Sequence, residues 1–203
     1  MNAGLPSQEP AALCLPFEVC AALCETVPQA RTLDEALHAI ETVRGNMLGP
    51  GLLTVNLRCD EPPLAARAST FPSLSSDRRS DRSTIVELRR IWSSDTLAYP
   101  VAARKQKTWT AWTHQLFQRG EVFIGEGAGA LADAFDDHAR IASLGLRAVV
   151  NVPLLDVSSG APFATFNVLS QRDRWQPQEV WLIRLLASIA MPAIAHEARS
   201  ARA

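Results

Sequence analysis

The chain has 203 residues, 47% of them hydrophobic and 20% charged, with a formal net charge of −1 at pH 7. That composition predicts an ordinary globular protein, long enough for folding to bury roughly 70% of the unfolded surface in one domain. The near-neutral charge excludes a general attraction to nucleic acid or to an anionic membrane, and no apolar run approaches the ~18 residues of a span; the expectation is a cytoplasmic protein that binds neither.

Residues 1–15 hold Pro6 and Pro10 among polar groups and read as a flexible N-terminus, leaving residues 16–203 as the domain. Pro16 can open a helix, because its missing N–H is not needed in a first turn, and that helix is expected to run to about Val27. Thr32-Leu33-Asp34-Glu35 has the form of a capping box, so a second helix is expected from there to about Gly45. Between Gly51 and Arg58, Leu53, Val55 and Leu57 alternate with Thr54, Asn56 and Arg58, the pattern of a half-buried strand. A long loop rich in Pro, Ser and Arg follows at about residues 60–83, expected to be mobile.

Residues 84–92 predict another strand, with Val86, Leu88 and Trp92 on one side. A loop with Tyr99-Pro100 comes next. Trp109, Trp112, Leu116 and Phe117 are spaced for a helix over residues 108–119, which Gly120 is placed to end. Residues 121–124 form a short strand, and residues 130–143 are helical in pieces. Ala148 to Leu155 and Phe163 to Leu169 are apolar runs separated by Asp156, Ser158, Ser159 and Gly160, the composition of an antiparallel hairpin. If Asn151 stands opposite Asn167, then Ala148, Val150, Val152 and Leu154 share a wholly apolar face with Ala164, Phe166 and Val168. The other face carries Val149, Asn151, Pro153 and Leu155 beside Phe163, Thr165, Asn167 and Leu169, an apolar surface with a few hydrogen-bonding groups, as a ligand pocket has. A long helix over residues 177–198 closes the chain, bent where Pro192 removes a backbone bond.

Of the cysteines, Cys14, Cys20, Cys24 and Cys59, the middle two lie one helical turn apart. No histidine or second pair stands at finger-like spacing, so they are read as small buried hydrophobes. Gly125-Glu126-Gly127-Ala128-Gly129 follows too short a strand for a dinucleotide fingerprint and lacks the acidic residue about 20 positions on, so it is read as a flexible rim beside a pocket. His138, flanked by Asp136 and Asp137, has the composition of a general base or a metal ligand, but no nucleophile motif accompanies it. Its competing reading is a local hydrogen bond, with Asp136 or Asp137 capping the next helix. The basic groups Arg78, Arg79, Arg82, Arg89, Arg90, Arg104, Lys105 and Lys107 outnumber the neighbouring acids; such a loop is usually a solvated surface, and an anionic ligand would draw interest to Arg104 and Lys105.

The run from Leu144-Gly145-Leu146-Arg147 to Asn151-Val152-Pro153-Leu154, the turn, the strand with Asn167-Val168-Leu169 and the helix opened by Gln176-Pro177 resemble the second half of a GAF domain. Trp92-Ser93-Ser94 with Tyr99-Pro100-Val101, then Phe135-Asp136-Asp137-His138, are similar to small stand-alone bacterial GAF-domain proteins, and the likeness spans about residues 30–198. It implies an α+β fold of GAF/PAS type: a central antiparallel sheet of five to six strands, the N- and C-terminal helices on one face and a lid over a ligand pocket on the other. On that resemblance Trp109, Trp112, Phe123, Phe135, Asp136 and His138 are assigned to the lid, and Asn151, Thr165 and Asn167 to the sheet face beneath it. A cyclic-nucleotide pocket is disfavoured, because Asn167-Val168, Trp175 and Glu179-Val180 stand where such members carry Asn-Lys, Phe and Asp-Glu. Bilin binding and free methionine sulfoxide reduction are disfavoured because no cysteine follows Cys59.

The expected function is that of a sensory or regulatory domain for an unidentified small molecule, without a fused effector, working alone or with a separate effector protein, and homodimeric through its terminal helices. The alternatives are an enzyme using His138 with Asp136 or Asp137, and an interaction module whose pocket is filled by its own aromatics. No cofactor is identified.

Overall fold

The computed structural model describes residues 15–59 and 85–201; the flexible end expected over residues 1–15, Leu15 apart, and the long loop at about 60–83 lie outside the described residues. Helix α1 (Phe17–Gln29) starts after Pro16 and keeps Pro28 in its last turn. Helix α2 (Leu33–Leu48) is capped by the Thr32 hydroxyl, which accepts from the Glu35 N–H at 3.1 Å. The Glu35 carboxylate reaches one residue further back than expected, to the Arg31 N–H at 2.8 Å. α2 also outlasts its expected end: Gly45 is helical, and Gly49, at φ +76° and ψ −165°, takes an extended positive-φ conformation that stops it.

Strand β1 (Gly51–Arg58) pairs with β2 (Ile85–Ser93), which pairs with β3 (Arg104–Thr108). β3 begins where a loop was expected, and it moves the helix start from residue 108 to Ala111. Its sequence, Arg-Lys-Gln-Lys-Thr, contains no apolar residue and so gives no hydrophobic alternation; ladder bonds to β2 define it instead. The short helix α3 (Ala111–Thr113) continues as a π-helical stretch, His114–Gln118, before Gly120 at φ +66° turns the chain. β4 (Phe123–Glu126), α4 (Gly127–Ala134), α5 (His138–Ser143), the hairpin β5 (Ala148–Leu155) and β6 (Pro162–Ser170), and α6 (Pro177–Ser200) complete the order.

The six strands form one antiparallel sheet in the order β3-β2-β1-β6-β5-β4, with Asn151 opposite Asn167 as the face argument requires. Its first face bears Leu53, Val55, Leu57, Val150, Phe166 and Val168, and packs against Leu37 and Ile40 of α2 and Ile183, Leu186 and Ile194 of α6. α1 lies against α2 and α6 through Leu23 and Val27. α6 is long and apolar enough to cross a membrane, but its apolar side covers the sheet. The second face lies under α3, α4 and α5, in two clusters around Val149 with Leu169 and around Val86 with Trp112.

Two side-chain assignments change. A β-bulge separates the pairs Val55↔Trp92 and Asn56↔Arg90, so Ile91 is an extra residue. Trp92 therefore packs on the first face, where its indole N–H donates to Asp34 Oδ1 at 2.9 Å, while Val86 and Leu88 face the second. Near the hairpin turn the register shifts after Leu154, pairing Leu155 with Pro162, and Phe163 packs against the first-face core rather than beside Thr165. Among the described residues the cysteines are also not buried: Cys24 and Cys59 are exposed and Cys20 is half-buried, while Cys14 lies outside the described residues.

Candidate functional site

Beneath the second-face cover lies a cavity of about 60 Å³. Its floor is built by alternate residues of adjoining strands: Leu52, Thr54 and Asn56 of β1, Leu88 and Arg90 of β2, Val149 and Asn151 of β5, and Asn167 and Leu169 of β6. Trp112, Phe135, Ile141, Tyr99 and Asp137 close it from above, and Lys105 and Lys107 of β3 from the side.

One half is held by a closed polar chain. The Trp112 indole N–H donates to Asn151 Oδ1 at 2.9 Å. An indole can only donate, so Asn151 presents its oxygen there and its amide N–H to Asn167 Oδ1, at 2.8 Å. The Asn167 amide in turn donates to the Thr54 carbonyl at 3.2 Å, with longer contacts to the Thr54 hydroxyl and the Thr165 carbonyl. Trp112 also meets Phe135 edge-on at 5.5 Å, and Phe135 meets Phe123 at 6.2 Å, so the aromatic cover is fixed by both ring packing and a hydrogen bond. The amides expected to greet a ligand thus satisfy one another and the backbone.

The other half is cationic. In β3, Lys105 and Lys107 oppose Leu88 and Val86, which points both ammonium groups to the second face. Lys105 pairs with Asp137 at 2.7 Å and Lys107 with Asp136, tying the edge strand to the α4–α5 corner. Burial pushes the Asp137 carboxyl up, but the hydrogen bond and charge of Lys105 outweigh it and hold Asp137 below the usual carboxylate range. The bulge at Ile91 brings Arg90 to the same face; it is 6% exposed, its Nη1 donates to the Pro100 carbonyl at 3.1 Å, and its guanidinium lies 4.8 Å from the Tyr99 ring centroid. Among the described residues it pairs with no carboxylate, and its Nε–H has no hydrogen-bond partner. The Tyr99 hydroxyl, on a side chain 6% exposed, has no hydrogen-bond partner of normal geometry, and the acceptor that bears on it is the Asp137 carboxylate. A turn sets Tyr99 in place: the Asp95 carboxylate accepts from the Ala98 N–H at 2.9 Å and the Asp95 carbonyl from the Tyr99 N–H at 2.8 Å. Burial, then the charge of Asp137, push the Tyr99 hydroxyl up to about 12, so it stays a neutral donor.

The cavity therefore gathers Trp112, Phe135, Asn151 and Asn167 from the expected set. Phe123 and Trp109 sit behind them in the cover, Trp109 stacked at 4.9 Å on His114. Thr165 is buried on the second face, opposite Asn56, but does not line the cavity, and Asp136 contributes through Lys107. His138 is exposed, and its Nδ1 pairs with the Phe135 carbonyl at 3.0 Å, outside the cavity. Neither aspartate caps α5: Asp137 occupies the N-cap position, but its side chain makes no cap bond and goes to Lys105. The glycine run is no rim either. Gly125 and Glu126 end β4, where Glu126 accepts from the Trp175 N–H at 2.8 Å, and Gly127 opens α4. Sequence reasoning passed over Arg90 and Tyr99; the signal for Arg90 was hidden by the bulge, which breaks the alternation of β2.

No protein-family model and no curated protein matches the sequence. Solved structures match the fold over most of the chain. The GAF domain of a phosphoenolpyruvate-protein phosphotransferase from Coxiella burnetii is 12% identical over 92% of this chain and 96% of its own, with a TM-score of 0.60. The GAF domain of a two-component sensor histidine kinase from Bacillus halodurans is 10% identical over 82% of this chain and 96% of its own, with a TM-score of 0.57. The free methionine-R-sulfoxide reductase of Neisseria meningitidis, solved with its substrate, is 17% identical over 99% of both chains, with a TM-score of 0.53. The chain has a GAF-like fold.

Proposed function

We propose that the protein is a small-molecule-binding regulatory domain whose ligand enters between β2, β3 and the α4–α5 corner. The observation that carries this reading is that Arg90 and Tyr99, both among the residues that line the cavity, bury polar atoms, Arg90 Nε and the Tyr99 hydroxyl, that lack a hydrogen-bond partner of normal geometry. A buried donor left without a partner costs about 1–3 kcal/mol, and a ligand acceptor recovers it. GAF domains of a phosphotransferase and of a sensor kinase among the similar structures are compatible with a regulatory role. The pairing of Asn151 with Asn167 speaks for a second reading, in which the aromatic half is filled by the protein itself and only the cationic half receives a ligand. For an enzyme built on His138 no cavity geometry speaks.

The domain acts as a cytoplasmic homodimer with a separate effector in this reading. Phe17, 81% exposed on α1, and Trp181, 63% exposed on α6, are the apolar groups that pairing would cover. Light scattering at about tens of micromolar should give twice the chain mass, and a monomer there removes the dimer. Mass spectrometry of small molecules released from the purified protein tests the function itself. A defined, stoichiometric adduct is expected. Protein that releases none, and whose melting point no small-molecule panel raises, leaves the sensory reading without support.

A further inference from the structure

We propose that the cationic end of the cavity, where Arg90 and the Tyr99 hydroxyl stand beside Lys105 and Lys107, takes the carboxylate of a short-chain organic acid, with its apolar tail on Leu169. This rests on the small-molecule reading above and adds the ligand's chemistry.

Charge comes first. A guanidinium buried to 6% exposure makes no ion pair of its own among the described residues: the charge of Asp137 favours it, but that carboxylate is already engaged by Lys105, and such groups persist where something anionic completes them. The two lysines add little to it, because each is matched by an aspartate. With Arg140, whose guanidinium lies 5.5 Å from the Tyr99 ring centroid, the cations at this end outnumber Asp136 and Asp137, which suits an anion. Donor chemistry comes second. The free Nε–H and the neutral Tyr99 O–H can both give hydrogen bonds, and a carboxylate has two oxygens to receive them. Guanidinium and carboxylate match as planar partners, which favours a carboxylate over a point-charge anion. Size comes third. The cavity's 60 Å³ is far below the roughly 300–1,000 Å³ of a drug-sized pocket, so the acid is short. Its tail would lie on the apolar floor at Leu52, Val149 and Leu169, which offers no further unpartnered donor.

The test uses the full chain with sodium butyrate as probe, butyramide as its neutral match and inorganic phosphate as a competing anion, read by thermal shift and calorimetry at low salt. Butyrate should raise the melting point, and butyramide and phosphate should not. Tyr99→Phe should weaken butyrate binding about tenfold, as expected for one hydrogen bond to a charged group, with a ligand-free melting point at or above the parent's, since the hydroxyl it removes has no partner of normal geometry. Arg90→Gln should abolish binding; if that variant does not fold, Tyr99→Phe alone decides. Equal effects of butyramide or phosphate, unchanged butyrate affinity in Tyr99→Phe, or a lowered ligand-free melting point in that variant would each overturn the proposal. Absence of any butyrate effect while a neutral compound stabilises the parent overturns the carboxylate and leaves the sensory reading standing. If neither acids nor neutral compounds stabilise it, both fall.

Discussion

Asn151 and Asn167 stand opposite each other on the neighbouring strands β5 and β6 and join side chain to side chain at 2.8 Å, both buried. Each also holds a second partner, Trp112 above and Thr54 beside. Asn167→Leu removes the acceptor of one amide and the donor of a backbone carbonyl in the same stroke. We expect it to cost about 1–3 kcal/mol of stability by chemical denaturation, even with no ligand present. The double variant with Asn151→Leu should cost less than the sum of the single ones, because the orphaned groups disappear together. Strict additivity in that cycle would show that the two amides do not depend on each other.

Tyr99 is the chain's one tyrosine, so tyrosinate absorbance reports it without assignment. Its midpoint is expected near 12 rather than the ordinary value of about 10. The fold favours the protonated form, so the contribution to stability is whole below about pH 10 and is lost as pH rises from there through the folded-state value near 12. A midpoint at the ordinary value would mean the hydroxyl is solvated.

In the β5–β6 turn the Asp156 carboxylate accepts from the Ser158 hydroxyl and N–H and from the Ser159 N–H and hydroxyl, and these bonds, the Ser158 hydroxyl foremost, lower it to about 2. The sign is that of a depressed acid. Its contribution is present above the unfolded value of about 3.9 and fades as pH falls toward 2. Asp156→Ala should melt earlier than the parent near neutral pH, with the gap closing as pH falls from 4 to about 2. A gap that does not depend on pH would assign the effect to turn geometry rather than charge.

Phe166, at 0% exposure, is among the largest fully buried side chains and fills the space between sheet and helices. Phe166→Ala should cost about 3–5 kcal/mol, the usual result of emptying a core aromatic site. A loss below about 1 kcal/mol would mean that α6 moves to refill the space.

The hairpin, its register and the helices on its first face were legible in the sequence because period-two alternation survives in β1, β5 and β6. β3 was not legible, since Lys105 and Lys107 reach the second face by matching Asp137 and Asp136 rather than by being apolar. The pocket was half legible. Asn151 and Asn167 stood on a face that periodicity could assign, and the GAF resemblance placed Trp112 and Phe135 in the cover. Arg90 was placed by neither, because one extra residue in β2 sends it and Trp92 to opposite sides, and no propensity marks that extra residue.

The two central strands of the sheet, β1 and β6, pair residues far apart in the chain, Gly51 with Ser170 and Thr54 with Asn167. During synthesis β1 has its complete inner partner only after residue 170 has left the ribosome, whereas β5 and β6 meet across a short turn as soon as both have emerged. Until then one hydrogen-bonding edge of Leu52, Leu53 and Val55 has nothing to pair with. Such an edge is open to strands of other chains. The order of the strands therefore predicts when the growing chain is most prone to aggregate: the interval between completion of β1 and arrival of β6.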